Sequence, residues 1–560
     1  MAAAPDDRLS ALPDELLQRI LSFTLPKTGA STAVLSRRWR PVWLRSGDLS
    51  LDSEPYAATI RATNYLEPYA YGGYIQRTSY TDSLFLPDAV KVLDALRRAT
   101  ADLRSLTLSL DKSAYSGAKQ YRFMCKEDKR KEKAHDRVGG VVLAHPAAAQ
   151  LEELRVCCRP DDYRYRPWLA SLPCAATLRV LELTRCDIHP PPTTSAAPPS
   201  AGLYFPRLAD LRLCGCVISE GYLQIMVDAA PALTNLVLVQ VSHKPAVKPD
   251  PRKWIFGGPG FRARLRLRCP AVTALVLEAS PRNKELEPWA NPGIELDMPS
   301  LRSFRYKGFP IKLSLISPAP ALARVDLDVS LHEYDVEQYY EPVSRILTSF
   351  SATSALKLRL RCIEDIVAGE KEHEGVILPT FPNLELLEVE GHYKYMNSHT
   401  GVAMARLLSS CPAMSELRLK LNMEHDYHYE RKTQTMVGGP FAESMERFNR
   451  LACMSSAHRD MVQLDGVSEL PTSLTNNCPF SCLQKSLRKV TLKFKAKEVN
   501  CFQVQLAKFL VENAMVLKEM HVDDGDQFEP DHLYNKVARW RADSFRKRNL
   551  TDTAGGFRVY

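Results

Sequence analysis

The chain has 560 residues, too many for one compact core, so several domains or a repeat array are expected. Its 45% apolar and 25% charged residues are those of an ordinary folded protein, and a net charge of +9 over this length does not by itself call for nucleic acid. No run approaches the roughly 20 apolar residues of a membrane span, and the first residues lack the basic and apolar regions of a secretory signal. A cytoplasmic or nuclear setting is therefore expected, with the 14 scattered cysteines reduced and mostly buried.

The first predicted elements lie between Leu12 and Trp43. Pro13 suits the first turn of a helix, where its missing N–H costs nothing, and Asp14 and Glu15 complement the dipole there. Leu16, Leu17, Ile20 and Leu21 recur at helical spacing, and Val34, Leu35, Trp39 and Trp43 form a second apolar stripe on a second helix. Two such short helices cannot bury a core of their own, so these side chains need cover from the rest of the chain or from a partner.

Two blocks here, Asp7-Arg8-Leu9-Ser10-Ala11-Leu12-Pro13-Asp14-Glu15-Leu16-Leu17 running on to Phe23, and Val34-Leu35-Ser36-Arg37-Arg38-Trp39-Arg40-Pro41-Val42-Trp43, resemble the plant version of the F-box in order and spacing. The resemblance covers roughly the first 45 residues. It implies docking onto a Skp-type adaptor and, through it, a cullin ubiquitin ligase. Carried over by motif position, the adaptor contacts would come from Leu12, Pro13, Leu16, Ile20, Leu21, Val34, Leu35, Trp39 and Trp43. The stretch Lys27 to Thr32, which contains Gly29, is one residue shorter than the family pattern.

From Leu103 onward the pattern apolar-x-x-apolar-x-apolar recurs. Its copies begin at Leu103, Leu151, Leu178, Leu208, Leu233, Val272, Leu301, Leu322, Leu384, Met414, Leu487 and Leu517, with a weaker member at Ala355 to Leu360. Most neighbours lie close to the leucine-rich-repeat period of roughly 20–29 residues. In two copies Cys186 and Cys216 fall at the Asn/Cys position that caps the turn after the strand. Lead-ins such as Cys411-Pro412-Ala413-Met414 end the preceding helix at a proline.

The period is interrupted by loops and insertions: the charge run Lys126 to Lys133, the prolines from Pro190 to Pro199, the stretch Lys244 to Gly260, and a long gap from Asn422 to Asn476. Near the end, Cys478 through Val490 and then Phe509-Leu510-Val511-Glu512-Asn513-Ala514 through Met520 resemble the FBD region of plant F-box proteins, which as structure would be a capping repeat. The expected fold is thus α/β: a small helical F-box followed by a leucine-rich-repeat solenoid, a curved parallel sheet with helices outside. Its domains are an F-box over 1–50, a linker and approach to the repeats over 51–100, degenerate repeats over 101–475, FBD-like terminal repeats over 476–525 and a basic tail over 526–560.

Catalytic signatures are missing: the sequence has no phosphate-binding loop, zincin motif or nucleophile elbow. His425 and His428 beside Glu424, Asp426 and Glu430 read as a polar loop, and Gly257-Gly258-Pro259-Gly260 as a turn. No catalytic residue, metal or cofactor is assigned. Arg262, Arg264, Arg266 and Arg268 alternate with apolar residues and read as one exposed strand face.

In the repeat pattern the residues between the inward leucines face the concave surface. From Arg305 on that set looks basic, and Arg305, Lys307, Arg324, Lys357, Arg359, Arg418 and Lys420 are the candidates for binding an acidic or phosphorylated protein segment. The expected function is substrate recognition in an SCF-type ubiquitin ligase by a non-catalytic subunit. A repeat scaffold not engaged with the ligase, or a nuclear protein associated with nucleic acid, are the alternatives.

Overall fold

In a computed structural model of the chain, the described residues are 12–22, 38–39, 42, 45, 47–59, 62–68, 74–80, 84–99, 101–111, 114, 138–159, 164–190, 203–219, 221–244, 265–278, 293–330, 341–367, 378–393, 399–423, 480–494, 501–523, 531–548 and 557–560. They belong to two compact units, Met1–Phe256 and Gly257–Tyr560.

The first unit opens with helix α1 (Asp14–Ser22). Its main sheet consists of β1 (Asp48–Asp52), β2 (Ser105–Leu110), β3 (Glu153–Cys158), β4 (Val180–Thr184), β5 (Asp210–Cys214) and β6 (Asn235–Val239). Each strand pairs in parallel with the one before it in the chain. Short strands Asp187–Ile188, Val217–Ser219 and Ser242–Lys244 form a second parallel sheet along the same repeats.

The stretch expected to be a linker over 51–100 is largely structured. It holds a 3-10 turn (Glu54–Thr59), an antiparallel hairpin of Ala62–Pro68 with Tyr74–Tyr80, and helix α2 (Phe85–Arg98). Phe85, Leu86, Ala89, Leu93 and Leu96, at helical spacing, are buried and so fix α2 in place.

The second unit repeats the plan with β7 (Ala274–Glu278), β8 (Ser303–Lys307), β9 (Arg324–Asp328), β10 (Ala355–Cys362), β11 (Leu386–Tyr393), β12 (Glu416–Met423), β13 (Lys489–Lys493), β14 (Glu519–Asp523) and β15 (Arg558–Val559), again parallel and in chain order. Strands Leu265–Arg268, Ile294–Asp297 and Leu313–Leu315 form its short second sheet. Parallel neighbours need crossover connections. Helices α4 (Val343–Thr348), α5 (His399–Ser410), α6 (Ser481–Lys485) and α7 (Cys501–Asn513) lie between successive strands, as α3 (Tyr222–Asp228) does in the first unit.

Every repeat read from the sequence falls on a strand from β2 to β14, in order. The pattern works because its apolar positions and its backbone act together. In β4, Leu181 and Leu183 are fully buried, and Leu178 before the strand turns into the same core. The residue after that first leucine offers its carbonyl to two N–H groups of the next repeat: the Arg104 oxygen accepts from Glu152 and Glu153, Glu152 from Arg179 and Val180, and Arg179 from Ala209 and Asp210. The same double acceptance recurs in the second unit at Arg302, Ala323, Ser354, Glu385 and Ser415. This device pins the register, so equivalent side chains of successive repeats stand side by side.

The cysteines at the turn positions serve as caps. The Cys216 thiol donates to the Leu183 carbonyl at 3.2 Å, and the Cys186 thiol to the Thr184 carbonyl at 3.6 Å. Burial raises the Cys174 thiol to about 11 and the Cys411 thiol to about 12, which keeps both protonated and inert at neutral pH.

A polar cluster ties the first unit's short sheet together. Asp187 lies 2.5 Å from both the Arg166 guanidinium and His189 Nε2, and His189 Nδ1 meets Ser219 of the next short strand. Burial alone would raise the Asp187 carboxyl, but the contacts with His189 and Arg166 outweigh it and hold the group well below the usual carboxylate range. A depressed folded-state value stabilises the fold above the unfolded carboxylate pKa of about 3.9, and that contribution fades as pH falls below it. Asp187→Asn should therefore cost at least about 1 kcal/mol at pH 7 and measurably less, though not nothing, near pH 2, read as urea midpoints at the two pH values. An equal loss at both would show that the carboxylate charge contributes nothing.

The sequence suggests a basic tail over 526–560, but the described part is folded. Helix α8 (Asp531–Lys547) buries Val537, Arg541 and Phe545, and β15 adds a strand beside β14. Arg541 counts as surface charge in a composition, yet its guanidinium donates to the carbonyls of Ala514 (3.0 Å), Leu517 (3.1 Å) and Val511 (3.4 Å) at the C-terminal end of α7. Among the described residues, no helix is long and apolar enough to cross a membrane.

Candidate interaction surfaces

Two surfaces collect the residues singled out from the sequence, one in each unit. On α1, the Pro13 carbonyl accepts from the N–H of Leu16 (3.1 Å) and Leu17 (3.2 Å), so the proline opens the first turn as its position predicts. Two apolar pairs, each spanning one turn and set about 100° apart on the helix, then divide between core and surface. Leu17 and Leu21 turn inward and form a small core with Trp39 and Val42, against which Leu12 packs. Leu16 and Ile20 turn outward and remain 48% and 44% exposed. Arg38 bridges the two parts of this core, pairing with Asp14 at 2.7 Å and donating to the Leu12 carbonyl.

The nine candidate adaptor contacts therefore separate by location. Pro13, Leu16 and Ile20 are exposed and Leu12 is half-buried, whereas Leu21 and Trp39 are buried and hold the two segments together. Val34, Leu35 and Trp43 lie outside the described residues, as do Gly29 and its turn. The spacing of Leu16, Leu17, Ile20 and Leu21 is that of one broad apolar face; which pair within it points inward depends on Trp39 and Val42, distant in sequence.

In the second unit the residues between inward leucines do share one sheet face, but that face is not basic. Register places an acid beside almost every base. One row runs Arg305, Asp326, Lys357, Glu388, Arg418 from β8 to β12, and the next runs Glu278, Lys307, Asp328, Arg359, Glu390, Lys420 from β7 to β12. The Arg359 guanidinium reaches Glu390 at 2.6 Å and Asp328 at 3.0 Å. Lys357 pairs with Glu388 and lies 3.4 Å from Glu390. Arg305 lies 3.7 Å from Glu278 and 3.9 Å from Asp326, and Arg418 lies 2.8 Å from Glu416 and 3.9 Å from Glu388. Burial would raise the Glu390 carboxyl, yet Arg359 and Lys357 bring it below its usual value. Arg324 begins β9 and is exposed, two residues before Asp326 of the first row.

The set read from the sequence as a basic surface is thus mostly one half of an alternating charge ladder. In parallel, in-register strands equivalent side chains stack, and opposite signs on neighbours stabilise where like signs repel. Asp328, Glu390 and Glu278 were missed as partners, although aligning the repeats on their leucines brings them next to Arg359 and Lys307. Arg266 and Arg268 share the exposed face of their strand, as their alternation predicts, and Arg268 lies 3.6 Å from Asp297. Arg262, Arg264, the Gly257–Gly260 turn and the His425 and His428 cluster lie outside the described residues. No group of three or more His, Cys, Asp or Glu that could hold a metal ion occurs among the described residues.

Residues 141–248, which include β3 to β6, match a family described as the LRR repeats of FBD-associated F-box protein At5g56370. Three proteins of Arabidopsis thaliana are similar over shorter stretches. F-box/FBD/LRR-repeat protein At4g00160 is 50% identical over 50 residues, 9% of this chain and 11% of that protein. Putative FBD-associated F-box protein At3g12840 is 47% identical over 45 residues, 8% of this chain and 25% of that protein. FBD-associated F-box protein At4g10400 is 45% identical over 51 residues, 9% of this chain and 12% of that protein. The chain thus matches between 11% and 25% of the length of these three relatives. This is a leucine-rich-repeat protein that matches the repeats of FBD-associated F-box proteins over residues 141–248 and is similar over short stretches to plant F-box/FBD/LRR-repeat proteins.

Proposed function

We propose that this chain is the substrate-recognition subunit of an SCF-type cullin ubiquitin ligase. Its N-terminal segment binds a Skp-type adaptor and its repeats bind the target protein. The observation that carries this reading is the outward pair Leu16 and Ile20, held in place from behind by Leu17, Leu21, Trp39 and Val42. A helix with a core on one side and two large aliphatic side chains a turn apart on the other suits a partner's apolar groove. The chain itself performs no chemistry in this reading; it raises the local concentration of a target beside the ligase. Buried, reduced thiols such as Cys174 and Cys411 suit the reducing cytoplasm or nucleus, where we place it.

The test is retention of the full chain on an immobilised Skp-type adaptor. Burying Leu16 and Ile20 is worth about 1.5–3 kcal/mol each, so Leu16→Asp with Ile20→Asp should weaken retention by at least about a hundredfold. Both side chains point away from the local core, so the variant keeps its fold. An intact chain that does not bind, or a variant retained equally well, would favour a repeat scaffold with no link to the ligase.

A further inference from the structure

The alternating ladder of the second unit breaks at one junction. Along the row Glu278, Lys307, Asp328, Arg359, Glu390, Lys420 the sign changes at every step, but β13 then places Lys493 directly beside Lys420. In the neighbouring row Thr491 stands beside Arg418, where alternation would call for an acid. Two lysines on adjacent strands repel across this junction, and each has an acid only on its far side: Glu390 beside Lys420, and Asp523 at 2.6 Å from Lys493. Lys420, Arg418 and Lys493 are all exposed on the sheet face.

We propose that the β12–β13 junction is a binding site for a phosphorylated serine or threonine of a protein segment. Neighbouring strands stand about 4.8 Å apart, and residues i and i+2 on one strand about 7 Å apart. Lys420, Lys493, Arg418 and Thr491 therefore form the four corners of an area the size of one phosphate, three of them cationic and the fourth a hydroxyl. A single carboxylate would neutralise one of the two lysines, whereas a phosphate dianion suits both. The surroundings limit the ligand to a compact anion. Glu388 and Glu390 lie on one flank, and Glu519 and Asp523 on the other, with Lys493 2.6 Å from Asp523 and Arg418 2.8 Å from Glu416 of its own strand. A nucleic acid backbone or an anionic membrane would meet these acids on both sides. That the bound segment belongs to a ligase target rests on the function proposed above; the anion site itself does not.

The experiment uses the full chain and a degenerate peptide library fixed at a central phosphothreonine, with its unphosphorylated twin as reference. Retention of the phosphorylated library should be at least about tenfold greater, and Lys420→Gln with Lys493→Gln should remove the difference. That double variant removes the repulsion together with the exposed Lys493–Asp523 pair and the Lys420–Glu390 attraction, so its thermal midpoint should stay close to that of the intact chain; a merely structural pair would lower it. Equal retention of the two libraries, an unaffected variant, or tighter binding to single-stranded DNA or to phosphatidylserine vesicles would overturn the proposal. Adaptor retention measured on the same preparations separates the two readings. Loss of phosphopeptide with adaptor binding intact is the expected result for the variant. An intact chain that takes the phosphopeptide but not the adaptor keeps the site and refutes the ligase reading.

Discussion

Replacing Arg541 with alanine should loosen the C-terminal end of the chain by about 3 kcal/mol, the cost of stripping a buried charge-assisted network of its donor. The guanidinium is 2% exposed and reaches three carbonyls around the end of α7, where the helix dipole is negative. The rings of Phe545 and Phe557 cover it at 4.4 and 4.6 Å. Ser544 donates to the Glu512 carbonyl at 3.3 Å and Arg548 to the Asn513 side chain at 3.2 Å, so α8 holds that helix end at several points. Arg541→Ala leaves the carbonyls unpaired beneath two aromatic rings. Amides of Asp531–Lys547 should then exchange about 150-fold faster, with those of β7 to β9 unchanged. Arg541→Lys should recover part of the loss, since one ammonium cannot reproduce the fork. Unchanged exchange in α8 after Arg541→Ala would mean that the helix is held by its apolar contacts alone.

Reversing one acid in the ladder should be the more damaging kind of surface change. Glu390 accepts from Arg359 at 2.7 Å, lies 3.4 Å from Lys357 and sits beside Lys420. Glu390→Lys removes these attractions and sets one more cation among three. About 2 kcal/mol is expected in low salt, falling towards 1 kcal/mol at high salt as screening shortens the repulsion. Glu390→Gln should cost about 1 kcal/mol with a weaker salt dependence. Urea midpoints in 50 and 500 mM salt measure both. If Glu390→Lys costs less than Glu390→Gln, the ladder is decoration on a sheet held entirely by its leucines. The same logic corrects the charge-reversal experiment that the sequence invites. Reversing Arg305 or Arg418 would disturb pairs with Glu278, Asp326, Glu388 and Glu416, so lost target binding would not separate contact from damage.

The repeats were legible because each one spaces its core residues alike, and two of them add a cysteine in the turn that follows. Leu178, Leu181, Leu183 and Cys186 need no neighbour to be recognised, and all four are fully buried. β1 escaped notice because Leu49 and Leu51 supply only one alternating pair before a long interval without the pattern. Helix α2 carried its signal openly in Phe85, Leu86, Ala89, Leu93 and Leu96, but within a stretch that reads as an interruption. The charge of the second unit's sheet face was misjudged for a different reason. Arg359 and Glu390 are 31 residues apart, and a count along the chain records the base without the acid that register sets beside it. Arg541 shows the same limit: charge is visible in a sequence, whereas burial belongs to the fold.

For the N-terminal segment, spacing gave the helix and its apolar residues, while the division into an inward and an outward pair required Trp39 and Val42 to be in place. That division is what the proposed function stands on. Hydrogen exchange of the full chain with and without a Skp-type adaptor tests it most directly. The adaptor should slow exchange across α1, around Leu16 and Ile20, and leave β7 to β14 as they were. Protection confined to the repeat strands, or none at all in α1, would contradict it.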